Sequence, residues 1–517
     1  VTTDFDVAIA GYGPVGQALA ILLGRRGWKT AVFDRQRELY PLPRACHLDY
    51  EAMRILQAMG IADEIDAAIT PAREYLLLRG DLSVLSDLPR GWETPTGWEA
   101  SYHFYQPDVE HIFDAAAKAL PGVTVRQGMA VTGVVDDGEV VTVSLDSGER
   151  VTARFVIGAD GANSLVRECL GIPREDLGFE ATWVVNDVEL KEGCPPLDVP
   201  DTGQVLDPAQ PRHMAWLGGR HYRWEFMVLD GVDAGEAVNP ERVWAKLSRW
   251  VDPGSAVLRR SALYTFRSLV AETFGTGGVL LAGDAAHLMP PFMGQGMVSG
   301  LRDAITLSWM LDLVLRDVAP VPFLENYTLS RRPHVTKYIA ESVRIGQMVC
   351  ETDPAKAAER DRILAAQTET PPPFRPPVEA FVVPGPLAGT LAVQPRVWDG
   401  DRSRMLDDVL GPGFQLLTTD PADVEGLSPE AEETCALVGV RSAVIGVAVG
   451  EPTPSFAEEK PRFADWLARA GATWVLVRPD GYVYESGTGR AALEQSLPAL
   501  RAAIAEGVAC SAVREVA

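Results

Sequence analysis

Three glycine-bearing turns, far apart in the chain, carry the residue types that could hold a phosphorylated cofactor. The first is Gly11-Tyr12-Gly13-Pro14-Val15-Gly16, directly after the apolar run Val7-Ala8-Ile9-Ala10. In a strand–turn–helix of this kind, Gly11 permits the tight turn. Gly13 lets the backbone approach a pyrophosphate, and Gly16 lets the helix pack closely on the strand. A helix starting at Pro14 and Val15 presents free N–H groups and a partial positive charge to phosphate. Asp34, followed by Arg35, lies 18 residues beyond Gly16, at the end of the next apolar strand. A carboxylate there accepts from ribose hydroxyls and favours an unphosphorylated ribose, as in FAD or NAD. The second turn, Gly158-Ala159-Asp160-Gly161-Ala162-Asn163-Ser164, follows Phe155-Val156-Ile157. The third, Gly283-Asp284-Ala285-Ala286-His287, follows Val279-Leu280-Leu281-Ala282. Asp284 could accept from a polyol chain. Beyond it, Pro290-Pro291-Phe292-Met293-Gly294-Gln295-Gly296-Met297-Val298 opens a long helix. Gly294 and Gly296 allow close approach by a ring, and the helix dipole favours negative charge beside it. A reduced isoalloxazine carries such charge, so the pattern fits FAD better than NAD.

The elements that must position these turns follow from periodicity. Residues 6–34 read as strand, turn, helix, strand, with Ala18, Leu19, Leu22 and Leu23 on one helix face. A helix is expected over 108–119. Short strands follow at 123–135 and 140–145, joined at Asp136-Asp137-Gly138, and another at 155–158. Residues 180–270 are rich in Trp, Tyr, Val and Arg in alternating runs, which suits a half-buried antiparallel sheet. Helices are expected at 296–316 and 324–350. Prolines from Pro371 to Pro386 suggest a stiff linker. Beyond it, strands near 414–417, 442–449 and 473–477, with helices near 456–470 and 490–505, suggest a small separate α/β domain. The expected fold is α/β. A Rossmann-like domain of discontinuous segments (1–178 and 273–368) would carry an inserted antiparallel sheet domain (179–272). A linker (369–398) and a C-terminal domain (399–517) would follow.

Length and composition narrow the function. A chain of 517 residues exceeds one compact core. Its net charge of −24 would repel nucleic acid and anionic membranes, so a small-molecule partner is expected. There is no apolar run long enough for a transmembrane helix, and a strand begins at once, so a cytoplasmic protein is expected. The six cysteines (46, 169, 194, 350, 435 and 510) form no C-x-x-C and no metal-binding spacing. Free thiols and no metal are expected.

Several runs together resemble the single-component FAD-dependent aromatic hydroxylases, the p-hydroxybenzoate hydroxylase-like group A flavoprotein monooxygenases. They are the Gly11–Gly16 turn, Tyr40-Pro41-Leu42-Pro43-Arg44-Ala45-Cys46-His47-Leu48-Asp49, Gln106-Pro107-Asp108-Val109-Glu110, the run from Gly158 to Arg167, Arg223-Trp224-Glu225-Phe226-Met227, and Gly283 to Asp303. Within that family the chain is most similar to the 3-(3-hydroxyphenyl)propionate hydroxylase branch. Residues 410–414 and 477–481 look like the thioredoxin-like tail of many members, here without a C-x-x-C. The resemblance implies FAD contacts at Arg44, Gln106, Asp160 and Asp284, and a ring-side loop at Gly294–Val298. Relatives carry Asn or Cys where this chain has Val298, which leaves a backbone contact there. It also implies NADH or NADPH as a transient hydride donor. Reduced FAD and O2 then give a C4a-hydroperoxide that hydroxylates a phenol, with a 3-hydroxyphenylpropionate-like acid as one candidate. Members are often dimers, so a homodimer is an expectation by analogy.

The substrate is expected between the flavin ring and the 180–270 sheet. His47 reads either as a proton relay or as a solvated or core histidine. His47, Pro291 and Tyr222 are the catalytic candidates. His47, His213, Trp216, Tyr222, Trp224, Phe292 and Met293 are the substrate-contact candidates. Alternation puts Tyr222, Trp224 and Phe226 on one face and His221, Arg223 and Glu225 on the other, without saying which covers the pocket. Arg223 and Glu225 also read as a simple exposed charge pair. A disulfide reductase is excluded by the solitary Cys46, and a flavin halogenase by the lack of Trp-x-Trp-x-Ile-Pro. A polyketide-tailoring or Baeyer–Villiger oxygenase of the same family, and a non-catalytic FAD-binding protein, remain as alternatives.

Overall fold

The computed structural model describes residues 2–367, 372–446 and 453–507. Pro371, Cys510 and the end of the strand expected at 442–449 lie outside them.

The chain opens on the buried strand Phe5–Ala10, pairing parallel with Thr30–Asp34 on one side and Arg150–Gly158 on the other. Val123–Gln127 and Val279–Leu281 extend the sheet outward, also in parallel. Both faces of these strands are covered, which explains their unbroken apolar character. The helix Pro14–Arg25 starts on proline, whose missing N–H costs nothing in a first turn. It buries Ala18, Leu19, Leu22 and Leu23, each leucine contributing roughly 1.5–3 kcal/mol. Its main partner is the helix Gly296–Leu315, buried along almost its whole length. A hairpin, Val131–Asp136 and Val141–Leu145, turns at Asp137-Gly138 as its sequence predicts.

A second eight-stranded sheet stands beside the first, ordered His287–Leu288, Ala256–Ala271, Arg174–Leu190, His221–Met227, Arg212–Trp216, Thr202–Val205, Leu76–Leu78, Val84–Asp87. Two strands therefore come from residues 76–87, well outside the 179–272 segment that the sequence assigns to this domain. The correction matters because the loops flanking these strands reach the site.

Residues 372–395 are not a free spacer. Val378, Ala380, Phe381 and Val382 are buried. Phe381 packs against Trp309 of the long helix and Tyr484 of the last domain, with centroids 5.7 and 5.2 Å away. The C-terminal domain is a mixed five-stranded sheet ordered Ser455–Phe456, Val440–Ile445, Phe414–Thr418, Trp474–Val477, Val483–Gly487. Helices Pro429–Val438, Arg462–Arg469 and Arg490–Glu506 pack around it.

Candidate active site

The three glycine turns leave the carboxyl ends of three adjacent parallel strands, Ala10, Gly158 and Leu281. Strand order reverses beside the first strand, the place where such sheets bind ligands. Gly11 has φ +104, and a Cβ there would lie 2.2 Å from Ala159 O. A Cβ on Gly16 would lie 2.0 Å from Gly11 O. Gly13 has nothing within 4 Å, so the backbone is open where a phosphate would sit. Gln17 N is the first amide of the helix to bond back, to Gly13 O, leaving the N–H groups of Val15 and Gly16 for an anion. Asp34 accepts from Tyr12 N at 2.7 Å and from Gln36 N at 2.7 Å, which fixes the carboxylate beside this turn. Arg35 is exposed.

Asp284 has open side-chain surface, yet burial among protein atoms pushes its carboxyl up. The charge of Arg44 reaches it, and the half-exposed Tyr264 senses both groups. Arg44 stacks on Tyr40 at 4.6 Å. Asp160 Oδ2 accepts from Val166 N at 3.1 Å, while its Oδ1 is buried without a partner among the described residues. An orphaned acceptor beside an open glycine turn suits a ligand hydroxyl. Together these features fit FAD, and no feature of the cradle opposes it.

Gln106 does something other than face a ribityl chain. Its Oε1 accepts from both Arg44 N (2.7 Å) and Ala45 N (2.6 Å), and its Nε2 donates to Glu110. It holds the Arg44 segment in place.

Pro291–Met293 form one 3-10 turn ended by Gly294 at φ +64. A Cβ on Gly294 would meet the His47 ring at 2.9 Å. Ser299 N is the first amide of the long helix to bond back, to Gln295 O. The N–H groups of Met297 and Val298 therefore stay available at its positive end. The Val298 side chain is buried in the core, so this residue offers only its backbone. The Gln295 amide is engaged elsewhere, donating to Asp49 Oδ2 (3.0 Å) and accepting from Arg302 (2.7 Å). Pro291 is exposed and Met293 half-buried. Phe292 turns inward onto Phe179, Trp183 and Phe266.

The second sheet resolves the two faces that alternation leaves open. Trp216, Tyr222, Trp224 and Phe226 pack on the far side with Met214, Val243 and Leu247, under the helix Pro240–Leu247. The Tyr222 hydroxyl accepts from Leu197 N. Trp216, Tyr222 and Trp224 are thus core residues of the sheet domain, and the catalytic and substrate roles assigned to them from sequence are withdrawn. The near face carries His213 and Glu225, paired in register, with Arg223 and Asp187. Arg223 and Glu225 are only 3 and 8 % exposed, so they are no surface pair. Arg223 donates to Asp187 (2.7 Å), Arg44 O (2.8 Å) and Pro43 O (2.7 Å), tying the sheet to the segment that bears His47.

His47 Nδ1 lies 3.3 Å from Gly294 O. His47 and His103 face each other across paired strands, and His103 Nε2 reaches Thr202 Oγ1 at 3.3 Å. The Nδ1 atoms of His103 and His213 are buried without partners among the described residues. Burial brings all three imidazoles down to about 4. Arg90, stacked over Tyr75 at 5.0 Å, adds positive field at His47 and His103.

Residues 4–342 match the FAD binding domain family, and residues 389–503 match the HcaD C-terminal domain. The chain is 35% identical to a "Probable NADH-specific resorcinol 4-hydroxylase" of Rhodococcus jostii (strain RHA1), over 97% of this chain and 95% of that protein. It is 32% identical to a 3-(3-hydroxy-phenyl)propionate/3-hydroxycinnamic acid hydroxylase of Burkholderia cenocepacia (strain HI2424), over 92% of this chain and 93% of that one. The chain belongs to the FAD-dependent aromatic hydroxylases. Among solved structures, the flavin-dependent monooxygenase PieE with FAD and substrate shares the fold at TM-score 0.80 and 20% identity, covering 98% of this chain and all of that one. Aklavinone-11 hydroxylase matches at TM-score 0.78 and 22% identity, covering 98% of this chain and 100% of that one.

The hydroxylase is an enzyme, which removes the non-catalytic alternative, and no helix of its described residues is long and apolar enough to cross a membrane. Of the residues expected at its site, Gly11 to Gly16, Asp34, Asp160 and Asp284 lie at the carboxyl ends of first-sheet strands, with Arg44 within charge reach of Asp284. His47 meets the Gly294 turn. His103, Tyr75, Arg90 and Tyr264 escaped the sequence reading. The one available signal was the alternation that places Tyr75 with Leu77, and Leu77 packs against Phe292 and Trp183.

The histidines should make the hydroxylase less stable in acid. His47, His103 and His213 bind protons more readily unfolded (6.5) than folded (about 4). Between these values the unfolded state holds more protons, so stability rises with pH across that window and is lost as pH falls through it. Each group contributes a slope of up to about 1.4 kcal/mol per pH unit. Melting curves from pH 4.5 to 7 should show this fall, and changing His213 to Phe should flatten it.

Proposed function

We propose that this hydroxylase uses NADH and O2 to hydroxylate a small phenol held between the Pro291–Gly294 turn and the sheet face bearing His213 and Glu225. The observation that carries the reading is His47, half-buried, neutral and anchored by its Nδ1 to the carbonyl of Gly294. FAD, when bound, supplies the redox chemistry by accepting hydride from NADH and activating O2. The amides of Val15 and Gly16 would hold its pyrophosphate, with Arg44 nearby. Asp284 would take the ribityl hydroxyls, and the amides of Met297 and Val298 would meet the ring.

The remaining task is to make the phenol a better nucleophile. With Nδ1–H donated to Gly294 O, the His47 lone pair sits on Nε2, free to accept from a phenol hydroxyl. A phenol near pKa 10 and an imidazole near 4 differ by about 6 units, so full transfer would cost roughly 8 kcal/mol. His47 therefore polarises the hydroxyl by accepting its hydrogen bond at Nε2, and the phenol proton leaves to solvent as the ring is oxidised. Changing His47 to Asn should lower kcat about 100-fold, with KM changed less than about threefold, in steady-state assays of enzyme that retains FAD. An unchanged kcat removes His47 from that role.

The names of the two relatives describe phenols with a second substituent meta to the hydroxyl, and the same class is proposed here. Support comes from the His47 and His213 imidazoles, the Glu225 carboxyl and the Tyr75 ring, which lie within reach of the charges of Arg90 and Arg223. The test follows NADH oxidation, O2 uptake and product mass with resorcinol, 3-(3-hydroxyphenyl)propionate and a polycyclic phenol. A meta-substituted phenol that stimulates turnover and gains about 16 mass units is the expected result. Stimulation only by the polycyclic phenol would replace this reading with a natural-product-tailoring one.

A further inference from the structure

The C-terminal domain carries no C-x-x-C for redox work, yet it is bonded to the flavin loop through buried polar groups. Tyr482 donates its hydroxyl to Glu51 Oε1. The other oxygen of Glu51 accepts from Arg302 Nε at 2.8 Å. Arg302 also donates to Asp49 Oδ2 (2.9 Å) and to Gln295 Oε1 (2.7 Å). Gln295 is the residue from which the long helix starts, and its side chain makes no capping bond of its own. A chain of four side chains thus runs from the last domain to the turn whose amides face the flavin ring. The same C-terminal loop touches the helix twice more. Asp480 Oδ2 accepts from Thr306 Oγ1 and Trp309 Nε1, both at 3.1 Å, and Arg478 holds Asp480. Residues 302, 306 and 309 follow one face of that helix at its own repeat.

We propose that Tyr482 is a positioning residue for the flavin loop, and that the C-terminal domain serves to fix the axial placement of helix Gly296–Leu315. Stability alone does not explain the arrangement. A buried ionic network is weak as glue, and an apolar contact of the same volume would hold the domain at least as well. What the network adds is direction: a Gln295 amide fixed on both its atoms leaves the Gly294–Val298 backbone one orientation. Ring-binding amides need placement within about 0.5 Å to act, and a hydrogen-bonded stop supplies that where apolar packing tolerates sliding.

The test compares Tyr482→Phe with Gln394→Ala in the full-length protein. Gln394 also joins this domain to the first, through Thr96 O at 2.8 Å, but does not touch the network. Backbone hydrogen exchange at Gly294 and Ser299, whose amides are bonded to Pro291 O and Gln295 O, is measured without FAD, then the visible circular dichroism of bound FAD and the share of NADH oxidised without product. For Tyr482→Phe, exchange at these amides should quicken about tenfold or more, the flavin signal should change, and the uncoupled share should rise severalfold. Gln394→Ala should lower the melting temperature without any of these effects. The proposal is overturned if Tyr482→Phe leaves the loop amides as slow as in the parent, or if Gln394→Ala loosens them equally. The exchange readout needs no cofactor, so its outcome is separate from the failure of the FAD-dependent reading.

Discussion

Replacing Arg302 by methionine is expected to destabilise the protein by about 3–5 kcal/mol, the largest single-residue effect anticipated outside the glycines. Arg302 is 1 % exposed and lies over the ring of Tyr338 at 4.7 Å. Burial alone would raise the Asp49 carboxyl, but Arg302 and the Ala52 amide hold it below the usual carboxylate range. Without the guanidinium, Asp49 and Glu51 become two carboxylates in an interior with no countercharge. The folded protein then takes up a proton that the unfolded chain does not hold near pH 7. The penalty should therefore shrink toward pH 5, where that proton uptake by the folded state costs less. In thermal melts the shift should be roughly 3–5 °C at pH 8 and clearly smaller at pH 5. Lysine at this position should fall between the two, because a point charge cannot serve Glu51, Asp49 and Gln295 at once. A loss under 2 °C for the methionine variant, equal at both pH values, would show that the carboxylates find other partners.

Gly11→Ala is the second large effect. The added Cβ would lie 2.2 Å from the backbone oxygen of Ala159, and φ there is +104. Strain costs about 1–3 kcal/mol and the forced shift about 1–3 kcal/mol more. Because the obstacle is main chain, relief requires the first and second turns to separate, which spoils the aim of the Val15 and Gly16 amides. FAD affinity should fall at least about 30-fold, along with the stability of the cofactor-free protein. Gly13→Ala makes the informative comparison. Gly13 has φ −75 and open space around it, so cofactor-free stability should move by less than about 0.5 kcal/mol. Its FAD affinity should fall all the same, because the new methyl occupies the phosphate position. Calorimetric titration of FAD into both cofactor-free variants, beside their melting curves, separates the two cases. Unchanged affinity in Gly13→Ala would move the phosphate site off this turn.

Local pattern made the cofactor side of the protein readable. Each glycine turn is defined within about ten residues by a strand, a turn and a helix start, and the long helix announces itself by its apolar length. The substrate side was not, for three physical reasons. Alternation assigns Tyr222 and Arg223 to opposite faces but carries no information on which face has a partner. The strands at 76–87 are short, and Leu76 lies 127 positions from Gly203, its partner in the next strand, so register could not reveal them. The Glu51–Tyr482 contact spans 431 positions, beyond any sequence period. The proline-rich segment misled in a different way. Its prolines suggest stiffness, whereas the nearby run Val378–Val382 needed burial, and burial won.

The placement of the first strand has a consequence for how the protein is made. Its neighbour Arg150–Gly158 must be synthesised before the strand is paired on both sides, and Val279–Leu281 and the Gly294 turn come later still. A nascent chain on the ribosome cannot assemble the flavin cradle until well over half of it has emerged. Until then, Phe5–Ala10 and Thr30–Asp34 expose apolar strand edges in a growing polypeptide. Cofactor capture is therefore a late event in biogenesis, and chaperone protection matters most during the synthesis that precedes it.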